Sequence, residues 1–234
     1  MDRRRIGRRL RRFLFENGLS LFFGVIFVAS LLGQAFAGQR AYNAEQLEHD
    51  GQPVSWLDYV LSPDFGGAVL ENWQSEFLQF TLFILATVWL VQKGSNESKK
   101  LDEVGGESDQ KQRVGGYAPK NAPALAKRGR DAVRWLYENS LVLAMSSIFL
   151  LSWFGQSLNN LRVENEELRQ HGEQTVRWVD YVFSADFWER TLQNWQSEFL
   201  AVGTMAVFTI YLRQRGSPES KPVGSPHDET AASG

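Results

Sequence analysis

Two carboxylates stand within apolar stretches of the sequence, at Glu76 and Glu198. Each ends an Asn-Trp-Gln-Ser-Glu segment that begins at Asn72 or Asn194. On a helix with about 100° between residues, the asparagine, the serine and the glutamate of each segment fall on one stripe. A carboxylate at membrane depth is energetically costly and often belongs to a site for a cation or a proton. The spacing therefore indicates a polar site at the end of an apolar helix.

Two glutamines are expected at the depth of these glutamates. A rise of about 1.5 Å per residue places Gln34 about 26 Å, and Glu76 about 24 Å, from the polar ends of their helices. An antiparallel hairpin would bring Gln34 beside Glu76 and, by the same reasoning, Gln156 beside Glu198. These residues could form a polar site near the outer leaflet, or interhelical hydrogen bonds of about 0.6–2 kcal/mol each. We favour the hydrogen-bonding interpretation.

Other kinds of chemistry find little support in the residues. The chain has no cysteine, which excludes disulfides, thiolate metal sites and cysteine nucleophiles. His49 and His171 lack a second histidine at a metal-ligand spacing, so both are expected to be solvated loop residues. The sequence contains no glycine-rich phosphate loop and no nucleophile–base motif. We therefore predict no catalytic residue, no metal, no cofactor and no enzymatic activity.

The chain repeats itself at an offset of 122 residues. Residues 12–99 align with 134–221 without a gap, and 40 of those 88 positions are identical. The clearest block is NWQSEFL, at Asn72–Leu78 and again at Asn194–Leu200. A Trp-x-Asp-Tyr-Val block recurs as well. We interpret the pattern as a tandem duplication, with repeats at 13–99 and 131–221.

Each repeat contains two apolar segments. In the first repeat, the first of these segments is Leu19–Ala37, which has no charged residue. As a helix it would be about 28 Å long, close to the thickness of the hydrocarbon core of a bilayer. The second reaches a similar length only by including a glutamate near its outer end. A soluble helical bundle is the alternative, but the first segments are apolar on every face rather than striped. We predict an all-α membrane protein with four transmembrane helices in two hairpins, at about 14–37, 73–92, 136–158 and 195–213.

The first span also has features of a secretory signal. A basic head and an apolar stretch precede Ala35-Phe36-Ala37, which resembles a small-residue cleavage site. The equivalent span of the second repeat lies in the middle of the chain, where no signal is expected. The repeat therefore favours an intact first span over cleavage.

The positions of lysine and arginine predict the orientation. Residues 1–12 contain seven arginines, whereas the loop 38–72 has one basic residue, Arg40. Basic residues favour the cytoplasmic side, so both termini and the central linker are expected there and both loops outside. Each repeat starts and ends on the same side. The repeats are therefore expected to be parallel, around a pseudo-twofold axis along the membrane normal.

The polar segments outside the repeats have a composition typical of disorder. The linker 100–130 and the tail 222–234 contain few apolar residues that could be buried on folding. The basic segment 1–12 is expected to lie on anionic lipid, and no nucleic-acid partner is expected.

The external loops contain repeated aromatic residues. The Trp-x-Asp-Tyr block predicts a short amphipathic helix on the membrane surface, followed by a turn and the next span. Ser62 and Pro63 suit the N-cap and first position of that span. Tryptophan and tyrosine prefer the membrane interface, so we expect six interfacial anchors. They are Trp56, Tyr59, Trp73, Trp178, Tyr181 and Trp195.

The repeat unit resembles a bacterial family of small integral membrane proteins known only as an uncharacterised domain. The resemblance rests on Phe13–Ser20, on NWQSEFL and on the LRQRGSxESK pattern at Leu212–Lys221. It implies a multi-pass protein of the bacterial cytoplasmic (inner) membrane, but no activity. We expect a structural, interaction or stress-related membrane role, with the lipid bilayer and a second copy of the chain as partners. The alternative is a small oligomeric channel or transporter that uses the polar site.

Overall fold

The protein is all-helical over the residues that its computed structural model describes, 3–49 and 51–231. This confirms the predicted helical class. The α-helices of this part are α1 (Arg3–Glu16), α2 (Gly18–Glu48), α3 (Trp56–Val60), α4 (Pro63–Trp89), α5 (Ala132–Glu138), α6 (Ser140–Gln170), α7 (Trp178–Val182) and α8 (Ala185–Tyr211). The first two residues of the basic N-terminus, Asp50 and the last three residues of the tail lie outside the described residues.

The helices of the two repeats correspond in length and position. α2 and α6 each contain 31 residues, α3 and α7 contain five, and α4 and α8 contain 27. Each later helix of these pairs begins 122 positions after its counterpart. α1 and α5 end at the equivalent residues Glu16 and Glu138, each 2.6 Å from the arginine four positions earlier. The repeated sequence thus folds into a repeated set of helices.

Two of the described helices, α2 and α6, are long and apolar enough to cross a membrane, judged by length and composition. Both continue past the predicted span ends, as far as Glu48 and Gln170. The polar residues after each apolar stretch contain no proline and include many good helix formers, so nothing ends the helix there. α4 and α8 carry asparagine, glutamine and glutamate in their first halves, so neither contains a stretch of span length with sufficient hydropathy. The number of spans therefore stays a prediction.

Serine side chains fix where α4 and α8 begin. The Ser62 hydroxyl accepts a hydrogen bond from the backbone N–H of Phe65 at 3.3 Å, and Pro63 is the first helical residue, as the Ser-Pro pair predicts. In α8, the Ser184 hydroxyl accepts from the N–H of Phe187 at 3.2 Å. A serine at this position satisfies a backbone donor that the helix itself leaves unpaired.

The chain divides into two compact units between Gly66 and Gly67. In the first unit, α3 folds back on α2. The Asn43 carboxamide clamps the backbone of Val54, donating to its carbonyl at 3.0 Å and accepting from its N–H at 2.8 Å. The rings of Phe36 and Trp56 stack at 5.4 Å. The loop is therefore held by two backbone hydrogen bonds and an aromatic contact.

The second unit contains the rest of α4 and the helices α5 to α8. α6 and α8 pack through an aromatic cluster centred on Trp153, whose ring lies 5.9–6.1 Å from Phe187, Trp188 and Trp195. α4 packs on α6 at small residues. A side chain added at Gly155 would meet the end of the Leu70 side chain at 2.8 Å, so a larger residue would have to displace Leu70. Small residues at such crossings are typical of closely packed helices in membranes.

The repeated GSxESK segments form the same turn after α4 and after α8. Gly94 and Gly216 adopt positive φ angles of 84° and 81°. The second serine hydroxyl of each segment accepts a 2.9 Å hydrogen bond from the backbone N–H six residues earlier, at Gln92 or Gln214. The first serine accepts from the N–H two residues later at 3.2 Å in both copies. The motif is therefore a helix-terminating turn.

The lysine that ends each turn folds onto carbonyl groups. Lys99 Nζ donates to the carbonyl of Gly105 at 3.1 Å, and Lys221 Nζ donates to the equivalent carbonyl of His227 at 3.0 Å. Lys221 also reaches the carbonyls of Gly94, Pro226 and Glu229, at 2.7–3.0 Å. Its 1% exposed side chain thus joins the tail to the first repeat.

The central segment follows a defined path of turns in the described residues, although its composition predicts disorder. Arg134 of α5 is 3% exposed and binds Asp109 at 3.0 Å and Glu138 at 2.6 Å. Val114 and Ala126, which belong to the central segment, are buried as well. A buried guanidinium needs carboxylate partners, and one of these partners belongs to the segment. This ion pair is a physical reason for the segment to be held against α5.

Candidate functional site

Gln156 lies at the centre of a polar cluster in the second unit. α6 places its side chain at 0% exposure, where the carboxamide Nε2 donates to Glu71 Oε1 on α4 over a long 3.4 Å. Its Oε1 atom is buried and has no hydrogen-bond partner in the described part of the chain. A buried polar atom without a partner is energetically costly. The cluster therefore retains capacity to accept a hydrogen bond.

Gln74 is the second fully buried carboxamide of this cluster. Trp195 of α8 donates its indole N–H to Gln74 Oε1 at 2.8 Å. The Nε2 atom of Gln74 is buried without an acceptor among the residues described. Between them, the two glutamines offer one unused donor and one unused acceptor.

Charged groups surround the outer edge of the cluster. Asp186 accepts from Arg190 Nε at 3.1 Å and from the Tyr181 hydroxyl at 3.3 Å. Burial raises the pKa of the Glu71 carboxyl, and the neighbouring Arg190 opposes that rise. Burial also raises the pKa of Tyr181, so its hydroxyl stays protonated and remains a donor to Asp186. The edge thus pairs one cation with two carboxylates.

Three of the six residues that the sequence predicts for a polar site make hydrogen bonds to other groups. Gln156 meets Glu71 rather than a residue of its own repeat. Asn72 and Asn194 donate to carbonyls of their own helices, at 2.8 and 2.9 Å. These two asparagines satisfy local backbone groups.

The remaining members of that set lie at different degrees of exposure. Glu76 is exposed and Glu198 is half-buried, and their carboxylates interact electrostatically. Gln34, in the first unit, is exposed. The equivalent glutamines Gln34 and Gln156 therefore occupy different environments, although each follows a glycine at the same position of its repeat.

The predicted interfacial aromatics also make contacts inside each unit. Trp178 donates its indole N–H to Ser157 at 2.9 Å. Tyr181 is 2% exposed and packs against Phe187 at 5.7 Å, and Tyr59 is buried against Phe65 at 5.6 Å. Trp56 stacks on α2, Trp195 binds Gln74, and Trp73 is half-buried. Their role at a membrane surface stays a prediction.

Sequence reasoning overlooked the partners that complete the cluster. Glu71 and Trp153 are not repeated, since Gln193 and Leu31 stand at the equivalent positions. Gln74 is part of the repeated NWQSEFL block, but its stripe was not singled out. The available signal was its position: at about 100° per residue, Gln74 lies on the helix face opposite the stripe of Asn72 and Glu76.

Histidines and acidic residues do not assemble into a metal site in the part of the chain that the structure covers. No group of three or more potential ligands occurs among those residues. His171 Nδ1 lies 2.8 Å from the carbonyl of Glu167 on its own helix. The cluster around Gln156 and Gln74 offers hydrogen-bond donors and acceptors.

Comparison with known proteins adds a family but no activity. A family model described as a domain of unknown function, DUF6766, matches residues 10–232. No curated protein and no solved structure matches the chain.

Proposed function

The chain belongs to the DUF6766 family, whose description states no activity. We propose from its structure that it is an integral membrane protein with a structural, interaction or stress-related role. The surface of α2 carries the proposal. Large apolar side chains are exposed all around this helix: Leu19, Phe22, Phe23, Val25, Ile26, Phe27, Val28, Leu32 and Phe36. A helix with no polar face is stable in water only if covered, whereas a bilayer solvates it directly.

The proposal includes four spans in two tandem-duplicated hairpins, in a bacterial cytoplasmic (inner) membrane with both termini inside. Hydrogen bonds between α4 and α8 support it. Trp195 meets Gln74 near the middle of the two helices, and Thr209, near the end of α8, meets Ser95, just beyond the end of α4, at 3.1 Å. Equivalent parts of the two helices therefore lie together, so the helices run parallel, as hairpins in a parallel duplication should.

The basic helix α1 supports anionic lipid as a partner. Leu10, Phe13 and Leu14 are exposed on one side of α1, and the exposed arginines at 8, 9, 11 and 12 lie on the other. An amphipathic basic helix of this kind lies in the headgroup region and binds anionic lipid by charge. A second copy of the chain remains a proposed partner through the exposed apolar helices.

Cysteine labelling tests the four-span arrangement against one with α2 and α6 alone. The chain has no native cysteine, so Ser108→Cys in the central segment and Glu173→Cys in the second loop give clean reporters. Four spans place Glu173 outside and Ser108 inside, whereas two spans place Ser108 outside and Glu173 inside. We expect a membrane-impermeant maleimide to label only the Glu173 variant in intact spheroplasts. Gln52→Cys, external in both arrangements, is the positive control.

A small oligomeric channel or transporter is the second candidate, favoured by the unused donor and acceptor of Gln74 and Gln156. Buried polar groups in a bilayer often line the route of an ion or a polar solute. Proteoliposome flux of K⁺, Na⁺ and H⁺ tests this candidate, with Gln156→Leu as the altered protein and Gln34→Leu as the matched control. Flux that is absent from the wild-type protein, or equal in both variants, would count against it.

A further inference from the structure

A cavity of about 280 Å³ lies between α4 and α8, and its lining follows the internal repeat. Phe80 faces it with Val202, Phe83 with Met205, and Glu97 with Glu219, each pair separated by 122 positions. The remaining lining residues, one glutamine and one alanine, form a fourth pair at the same offset. The cavity therefore lies where the proposed pseudo-twofold axis passes between the two helices.

The helices are held apart rather than closed over this space. They are joined near their middle by Trp195 and Gln74, and near their ends by Thr209 and Ser95. The two GSxESK turns add a contact, because Asn96 donates to the carbonyl of Pro218 at 3.2 Å. The cavity lies between these two levels of contact, so it is a product of the architecture.

The walls and the rim of the cavity have opposite chemistry. Aromatic, aliphatic and thioether side chains form the walls, whereas Glu97 and Glu219 supply two carboxylates. Each glutamate is positioned by its turn, since its backbone N–H donates to the first serine of the motif at 3.2 Å. No basic side chain lines the cavity. The cavity would therefore repel an anion and favour a cation that carries apolar groups.

One carboxylate oxygen is left without a partner. Glu97 Oε1 is buried, and no described residue donates a hydrogen bond to it. Burial, together with the charge of Glu219, raises the pKa of the Glu97 carboxyl. A cation between the two carboxylates would relieve both effects, because it supplies the missing favourable charge.

A bare metal ion fits this arrangement poorly. Calcium takes six or more oxygen ligands, and magnesium retains its waters in an octahedral shell, whereas the only side-chain oxygen that the lining adds to the two carboxylates is that of the Gln79 carboxamide. An organic cation instead buries its apolar part and carries a charge that is spread and weakly hydrated. Aromatic rings such as those of Phe80 and Phe83 attract such a cation as well.

We propose that this cavity binds small lipophilic organic monocations, such as aryl or alkyl ammonium compounds, with the apolar part between α4 and α8 and the charge between Glu97 and Glu219. The binding site goes beyond the proposed structural role. It depends on that role only for the route of entry, from the bilayer past the partly exposed Phe80 and Met205. The volume, near the lower end of ligand cavities, selects small compounds.

Benzyltrimethylammonium is a suitable probe, and neopentylbenzene is its uncharged isostere. Binding of both to the purified full-length protein in detergent micelles is measured by saturation-transfer NMR and by calorimetry. We expect the cation to bind at least about tenfold more tightly than the isostere, as a desolvated charge contact provides. Equal affinity of the two compounds would overturn the proposal.

Two variants separate the charge from the apolar walls. Glu97→Gln/Glu219→Gln should lower the affinity for the cation about tenfold or more and leave that for neopentylbenzene unchanged. Ala201→Phe, which fills the cavity, should abolish binding of both compounds. The control Asp102→Asn/Asp228→Asn removes two exposed carboxylates that do not line the cavity and should bind like the wild type.

The outcomes are distinguishable from those of the topology experiment. Undiminished cation binding by the glutamine double variant or by Ala201→Phe, in protein that elutes and melts like the wild type, would refute the site. If Ala201→Phe does not fold, Val202→Phe provides the same test from the next position of α8. Cysteine labelling that contradicted four spans would leave binding in micelles unaffected, because the cavity is formed within the second unit.

Discussion

Replacement of Lys221 by methionine should be one of the most destabilising single changes outside the apolar helices. Methionine keeps the length and apolar stem of the lysine but removes a donor shared by four carbonyl oxygens, at 2.7–3.0 Å. The carbonyl of buried Gly94 then loses its donor within the fold, at about 1–3 kcal/mol. The other three carbonyls belong to exposed residues, so water can partly replace the lysine. We expect a total loss of about 3 kcal/mol.

Lys99→Met is the matched control for this change. Lys99 ends the equivalent turn, but its side chain is 28% exposed, and it donates to one carbonyl and pairs with Glu107 at 3.3 Å. Exposed or half-exposed ion pairs contribute about 1 kcal/mol or less. The two variants should therefore differ by about 2 kcal/mol, or by about 4–8 °C in melting temperature for a chain of this length.

The measurement is thermal unfolding in detergent micelles, followed by near-ultraviolet circular dichroism, with wild type and both variants under the same conditions. Limited proteolysis of the tail is a second readout, since loss of Lys221 should expose residues 222–231 to cleavage while Lys99→Met leaves them protected. Equal melting temperatures for the two methionine variants, with equal protection of the tail, would refute the reasoning.

Three further predictions concern packing, pH and lipid. Gly155→Ala should cost about 1–3 kcal/mol because its methyl group would meet Leu70 at 2.8 Å, whereas Gly33→Ala, with open space, should be neutral in the same melting assay; equal effects would contradict the packing. The raised pKa of Glu97 means that the folded state binds the proton of this carboxyl more tightly than the unfolded state does. The group therefore stabilises the protein fully below its ordinary pKa of 4.5, and that contribution is lost as the pH rises through the raised pKa. Glu97→Gln should flatten this part of the pH–stability curve, and an unchanged curve would contradict the assignment. A peptide of residues 1–17 should bind phosphatidylglycerol vesicles and lose most of that binding when its arginines are replaced by glutamine or when salt is raised, as sedimentation would show.

Local features of the fold were predictable because they depend on short-range chemistry. The Ser-Pro pair at Ser62 and Pro63 placed the first residue of α4, and the Trp-x-Asp-Tyr-Val blocks placed α3 and α7. The repeat predicted matched helices, and the structure has them. The ends of α2 and α6 were not predicted, because hydropathy marks where a helix stops being apolar rather than where it stops being a helix.

Contacts between distant segments could not be predicted from the sequence. Gln34 and Gln156 stand at equivalent positions of the repeat, each after a glycine, yet only Gln156 is buried, since Leu70 and Glu71 approach Gly155 and Gln156. Depth counted along a helix places a residue in one dimension and leaves its partner open. The symmetric cavity is a similar case, because the offset of 122 relates its residues without showing that they face one another.

The turn at Gly94, whose carbonyl binds Lys221, can be completed only late in synthesis. The backbone N–H of Gly94 donates to Thr230, 136 residues later, and the carbonyl of Ser95 accepts from the N–H of Ala231. These bonds can form only after the ribosome has released residue 231, when the first hairpin has long since been synthesised. The helices of the first repeat are therefore synthesised before their closing turn can gain these two partners. The C-terminal residues thus complete the first repeat as well as the second.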